Sequence, residues 1–249
     1  MNTVYALWLR QLKRFVRSRA RVVAALGQPL LFLVAFGFGF GRIYSQAGEG
    51  DYLQYVSPGI IGMTIMFIGV FSGIELIWDR EFGFLKETLV APVPRSWIML
   101  GRTAGGATVA VVQGFVVAGV CMAFGFRVSG LAAAGYGLIF MILSAILFTA
   151  LGSGLALVMP DFQAFQFIIQ FLVMPMFFLS GALVPLKSVP PALQIVASLD
   201  PFSYAVDGLR AVLVSSATQY GLATDLTVLS VLAALLLALG ARLFSRIQI

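Results

Sequence analysis

Few residues in this sequence are equipped for covalent chemistry. The 249 residues include no histidine and one cysteine, Cys121, which lies inside an apolar run. Histidine-based zinc sites and Ser-His or Cys-His nucleophilic catalysis are therefore excluded, no intrachain disulfide can form, and no metal-ligating residues are assigned. Paired carboxylates within an apolar segment, the usual general acid–base arrangement, are also missing, and this argues against an intramembrane protease or transferase. The phosphate-cradling pattern Gly-x-x-x-x-Gly-Lys-Ser/Thr does not occur, and there is no Gly-Lys dipeptide at all. Nucleotide hydrolysis, if the protein depends on it, must come from another chain.

What remains is a segment suited to receiving force. DREFGFLKETLVAPVPRSWIMLGR, Asp79 to Arg102, carries seven charges between two long apolar runs: Asp79, Arg80, Glu81, Lys86, Glu87, Arg95 and Arg102. At 100° per residue, Trp78, Phe82, Leu85 and Leu89 share one arc of a helix, and Asp79, Arg80, Lys86 and Glu87 share another. Pro92 and Pro94 stop that helix. The segment reads either as a docking helix tethered at each end to a membrane span or as an ordinary polar loop.

The elements that must position it are membrane spans. The chain is 60% hydrophobic and 10% charged, with mean hydropathy +1.00, far from a soluble domain. We expect an all-α polytopic membrane protein forming one domain, residues 1–249. Its six spans are placed at 22–41, 58–78, 103–126, 131–159, 162–184 and 225–244, each able to cross ~30 Å of hydrocarbon. Pro29 is a kink in the first, Pro58 opens the second, and Gly101, Gly105 and Gly106 permit close helix approach at the third. Glu75, the one charge of the second span, sits near a membrane surface, where it either snorkels to water or serves a proton or substrate role.

Before the first span, residues 1–21 set Val4, Trp8, Leu12 and Phe15 on one helical face and Arg10, Lys13, Arg14, Arg17 and Arg21 opposite. This is an amphipathic helix lying in the interface with its basic face toward anionic lipid headgroups, not a nucleic-acid-binding arm and not a cleaved signal. In the fifth span, Gln163, Gln166 and Gln170 form a polar stripe that Met174 and Phe177 extend. The stripe either lines a path for an amphiphilic substrate or supplies interhelical amide hydrogen bonds.

From 186 to 222 the pattern breaks into two apolar pieces too short to span. Pro190 and Pro191 precede the first, and Asp200 with Pro201 reads as an N-cap followed by proline at the first helical position. A re-entrant helical pair at the outer surface follows, tolerated where protein covers its backbone. Asp207 and Arg210 lie one turn apart within it. Lys and Arg number six in 1–21, four in 79–102 and two in 242–249, against Arg42, Arg127, Lys187 and Arg210 in the intervening segments. That bias puts both termini in the cytosol.

The basic N-terminal helix, the loop WDREFGFLKETLVAPVPR, and LSGALVPLKSVPPALQ followed by LDPFSYAVDGLRA together resemble the ABC-2 family of ATP-binding-cassette permeases. The resemblance is to its daunorubicin-exporter and nodulation-factor-exporter branch and covers essentially the whole chain. Pro201, Tyr204 and Arg210 stand at the family's spacing, and Asp200 replaces the first residue of the family's usual Asn-Pro.

The resemblance implies a half-transporter in the cell inner or plasma membrane. It exports an amphiphilic, lipid-linked or drug-like substrate and pairs with a second copy as a homodimer. A separate ATP-binding subunit carries the ATP and magnesium, and this chain has no cofactor of its own. Arg80, Glu81, Phe82, Gly83, Leu85, Lys86, Glu87 and Leu89 would form the coupling helix. Trp8, Arg10, Arg14, Phe15 and Arg17 would belong to the interface helix, and Ala192 to Val214 would be the outer re-entrant pair, with Pro190, Pro191, Asp200, Pro201, Tyr204, Asp207 and Arg210 as its motif. The alternative class is an ion-coupled secondary transporter or a channel, which would place ionisable groups near the midplane and show interrupted repeats.

Overall fold

The structure, a computed structural model, describes residues 2–39, 41, 51–84 and 93–245. All its regular elements among those residues are helical. They are α1 (Asn2–Arg17), α2 (Arg19–Phe32) with a π-helical continuation (Leu33–Phe38), α3 (Tyr52–Phe71), α4 (Ile74–Glu81), α5 (Arg95–Ala123), α6 (Leu131–Val158), α7 (Phe162–Leu179), α8 (Pro191–Leu199), α9 (Pro201–Val214) and α10 (Leu222–Ser245).

Among the described residues, five helices are long and apolar enough to cross a membrane: Tyr52–Glu81, Arg95–Ala123, Leu131–Val158, Phe162–Leu179 and Leu222–Ser245. The count rises to six if the pair Thr3–Arg17 and Val22–Gly37, bent by 74°, is taken as one span. The sequence divides that pair differently, into an interfacial helix ending at residue 21 and a first span from 22, whereas the helix breaks at Ser18. The helix continues through Pro29 and loosens to π geometry only beyond Phe32. Likewise α3 begins at Tyr52, so Pro58 is an internal residue of the helix; Asp51, not the proline, starts it, accepting a hydrogen bond from Leu53 N at 2.9 Å.

The central pole is α3 with α4. Of its most apolar stretch 67% is buried, against 17% for α10, so neighbours surround it on most sides. It packs on α5, α6 and α9. Bare backbone makes the tightest contact possible: a Cβ at Gly152 of α6 would lie 2.2 Å from the Val70 carbonyl oxygen of α3, and one at Gly73 would lie 2.3 Å from the Gly152 carbonyl. α1 lies along α5, with Gly101 against Val4 and Leu7 and Gly105 against Gln11. α1 is thus packed onto the bundle as well as being amphipathic.

Candidate functional site: a charged hub beneath the bundle

Hydrogen bonds sort the molecule into two ends. At one, Arg10 Nη2 of α1 donates to Asp79 Oδ2 of α4 at 2.5 Å, and Arg102 Nη2 of α5 donates to the same oxygen. Arg14 pairs with Glu75 at 3.3 Å, Arg80 donates to the carbonyls of Met159 and Pro160, the latter at 2.8 Å, and Arg95 donates to the Ser245 carbonyl at 2.8 Å. Trp8 Nε1 donates to Thr108 Oγ1 at 3.0 Å. These contacts gather α1, α4, the start of α5, the turn after α6 and the end of α10 on one side.

Asp79 is the centre of this network. It is 2% exposed, and a carboxylate buried that deeply is tolerated only because two guanidinium groups compensate it. The sequence reading counts Asp79 and Arg102 among the charges of the loop but gives neither a role. Their positions at the ends of adjoining apolar runs were the available signal, since a charge there must find a partner or reach water. That same reading turns Arg10 and Arg14 toward lipid headgroups; the structure spends them on Asp79 and Glu75. Phe15 is half-buried and Arg17 exposed.

The charged segment that begins at Asp79 is itself divided. α4 ends at Glu81, Phe82 caps it, and Gly83 takes φ +81°, a left-handed conformation suited to glycine. The single helix expected from Arg80 to Val90 is therefore interrupted at Gly83. Leu85, Lys86, Glu87 and Leu89 lie outside the described residues. Of the expected coupling residues, Arg80 holds the turn after α6, while Trp78, on the same arc as Phe82, stacks on Phe162 with centroids 6.4 Å apart. Phe82 and Phe84 do the opposite: they are 72% and 51% exposed, beside exposed Glu81.

At the other end, Tyr52 Oη donates to the Leu183 carbonyl at 2.9 Å and Tyr55 Oη to that of Gly181 at 2.8 Å. Arg210 closes this end. Its guanidinium stacks on the Tyr55 ring at 3.7 Å and donates to the carbonyls of Tyr55, Gly181 and Ala182. Asp207 Oδ2 accepts from the Gln219 and Tyr220 amides at 2.8 and 3.0 Å, fixing the loop into α10. Asp200 accepts from Phe202 N at 2.8 Å, with Pro201 at the first helical position of α9 and Pro190 and Pro191 opening α8. Tyr204 Oη ties the pair together, donating to the Ser198 carbonyl at 2.7 Å. Burial raises the Asp200 carboxyl to about 7, against the opposing pull of the Phe202 amide.

The stripe on α7 separates into two parts. Gln163, Gln166 and Gln170 are exposed and Met174 is half-buried, whereas Phe177 is fully buried. Phe32 and Phe202 cover it at centroid distances of 5.3 and 6.3 Å. Phe177 therefore belongs to the core, and only the glutamines remain on an open face.

A bundle of apolar helices with a charged hub at one end and a short helical pair at the other is a multi-pass membrane protein. The chain belongs to the ABC-2 type transporter family, whose model matches residues 2–214. It is 32% identical over 216 residues to a transport permease, ycf38, of Porphyra purpurea, over 84% of this chain and 73% of that one. It is 26% identical over 213 residues to Nodulation protein J of Rhizobium leguminosarum bv. trifolii, over 84% and 80%. With the inner membrane transport permease YadH of Escherichia coli K12 it shares 24% identity over 208 residues, 82% and 80% of the two chains.

Proposed function

We propose that this chain is the membrane subunit of an exporter that moves an amphiphilic, lipid-linked or drug-like molecule out of the cytoplasm, driven by ATP hydrolysis on a separate subunit. The observation that carries this reading is the pairing of a rigid anchor with an open docking surface. Asp79 fastens the end of α4 to α1 and α5, and Phe82, 72% exposed, lies immediately beyond it. Exposed aromatics beside charges are the composition of a protein interface, where apolar anchors carry the energy and charges set the fit. Movement of a partner at Phe82 would be passed through α4 to the central pole and to α1.

Two copies form the transporter in this reading. Gln163, Gln166 and Gln170 support it, because three amides on the open face of a span are costly against hydrocarbon and gain partners across a helix interface. The central helix Tyr52–Glu81, by contrast, is already surrounded within the protomer.

The test is export itself. Inverted vesicles carrying the chain with a cassette ATPase encoded beside it should accumulate a fluorescent amphiphile when ATP is added, and the chain alone should not. Uptake that follows an ion gradient and ignores ATP would replace this reading with ion-coupled transport.

A further inference from the structure

The first turn of α10, at the end of the bundle away from Asp79, buries a carboxyl group that belongs to neither hydrogen-bonded network. Asp225 is 0% exposed, and neither of its side-chain oxygens has a hydrogen-bond partner among the described residues. Buried polar groups are almost always paired, and an unpaired buried charge is the costliest exception. The charge that acts on Asp225 is Asp207 of α9, of like sign. Tyr204 of α9 and Tyr220 of the preceding loop, their rings 4.6 Å apart, are the other ionisable groups around it, with Asp200 in electrostatic reach of Tyr220. Arg210, one turn beyond Asp207, is committed to the Tyr55 ring and to the carbonyls of Tyr55, Gly181 and Ala182. α6, packed along α10, has no charged residue and exposes its Tyr136, and the half of α5 at this end has buried Cys121 as its one titratable side chain.

An ionised Asp225 would therefore lie in a dry site beside another carboxylate, and its place at a helix N-terminus offsets little of that cost. A metal ion does not answer it, because among the described residues no group of three acidic, cysteine or histidine side chains could hold one. A proton removes the charge and needs no further ligand. Asp207 ties this site to the loop 215–221, since its Oδ2 accepts the Gln219 and Tyr220 amides. Ser216, Ala217 and Gln219 of that loop form one wall of a cavity of about 230 Å³ that Lys187 and Arg210 also line.

We infer that Asp225 is a proton-binding site whose occupancy latches the loop 215–221: the bound proton keeps the loop seated between α9 and α10, and its loss to water releases the loop and opens the adjoining cavity. Ionisation sets two carboxylates against each other beside a loop tied to one of them by two amide hydrogen bonds, and water must enter to solvate the new charge. The closed form is the protonated one, so closure is complete at low pH and is lost as pH rises through the midpoint of the site. This inference rests on the packing of α10 and not on the coupling proposal.

Hydrogen–deuterium exchange of the full chain in lipid nanodiscs, corrected for the intrinsic pH dependence of amide exchange, tests it. Opening of 215–221 should rise about tenfold per pH unit, the slope of one released proton. Asp225→Asn, of the same shape and neutral at every pH, should keep the loop closed throughout and abolish that slope. A pH-independent loop in the natural chain, or an unchanged slope in Asp225→Asn, would overturn the latch. Infrared spectra read the proton itself. Asp200 contributes a carboxyl of its own, so the comparison is made on an Asp200→Asn background. There a protonated-carboxyl band at about pH 6, where an ordinary aspartate is ionised, should vanish when Asp225→Asn is added, and its persistence would overturn the site. Loop closure that follows sodium or calcium concentration at fixed pH would overturn the proton in favour of a cation. Neither measurement needs an ATPase, so their failure leaves the proposed function standing.

Discussion

Asp79 is the residue whose loss should be felt most widely. Asp79→Asn removes the charge that compensates buried Arg102, and breaking one side of a buried pair costs about 3–5 kcal/mol. Thermal unfolding in detergent should show a large drop in midpoint. The double change Asp79→Leu, Arg102→Leu should recover most of it, whereas Arg10→Ala, at the more exposed partner, should cost less. Asp200 supplies a pH signature. Its folded pKa of about 7 lies above the ordinary 3.8, so the protonated form is favoured by folding. That contribution is complete below about pH 4 and is lost as pH rises through 7. Asp200→Asn, which retains a capping side chain, should therefore be more stable than the natural chain at pH 8, and the difference should vanish near pH 4. Unfolding midpoints measured across that interval check the sign.

At the scale of elements, much was legible and for identifiable reasons. The apolar runs that became α5, α6, α7 and α10 exceed the length any soluble core helix needs, and Asp200-Pro201 carries its own start signal. Gly101, Gly105 and Gly106 marked a close approach, although only the fold shows that α1 is what approaches the first two. Less legible was everything decided by a distant partner. Periodicity runs straight through Gly83, yet the backbone turns left-handed there, and a helical wheel cannot register the change. Nor can it show that Phe177, in phase with three glutamines, is covered by Phe202 from a segment that follows later in the chain. The Gly73–Gly152 crossing gives a prediction at this scale. Gly152→Ala forces a methyl group onto the Val70 carbonyl, and overpacking of this kind costs about 1–3 kcal/mol, more where backbone must move. Folded yield on size exclusion should fall sharply, while Gly154→Ala on the same helix, with open space at its Cβ position, should leave yield unchanged.

For the whole molecule, the two hydrogen-bonded ends give the membrane orientation a concrete form. α1, the Asp79 hub and Ser245 share one side, and Tyr55, Arg210 and the loop after α9 share the other. With the basic side in the cytosol, a membrane-impermeant maleimide should label Ala217→Cys in intact cells and reach Ser18→Cys only after lysis; the reverse pattern would invert the topology. Gln166→Cys should crosslink to its counterpart in native membranes if two copies meet through α7. The central claim, however, is that force enters beside Asp79. The most direct measurement is ATP turnover by the assembled complex when Phe82 is changed to alanine. This side chain is 72% exposed, so the permease should still insert and keep its unfolding midpoint. The account predicts that the ATPase no longer co-purifies and that substrate no longer raises its turnover. A complex that assembles, hydrolyses ATP and exports as before would contradict it.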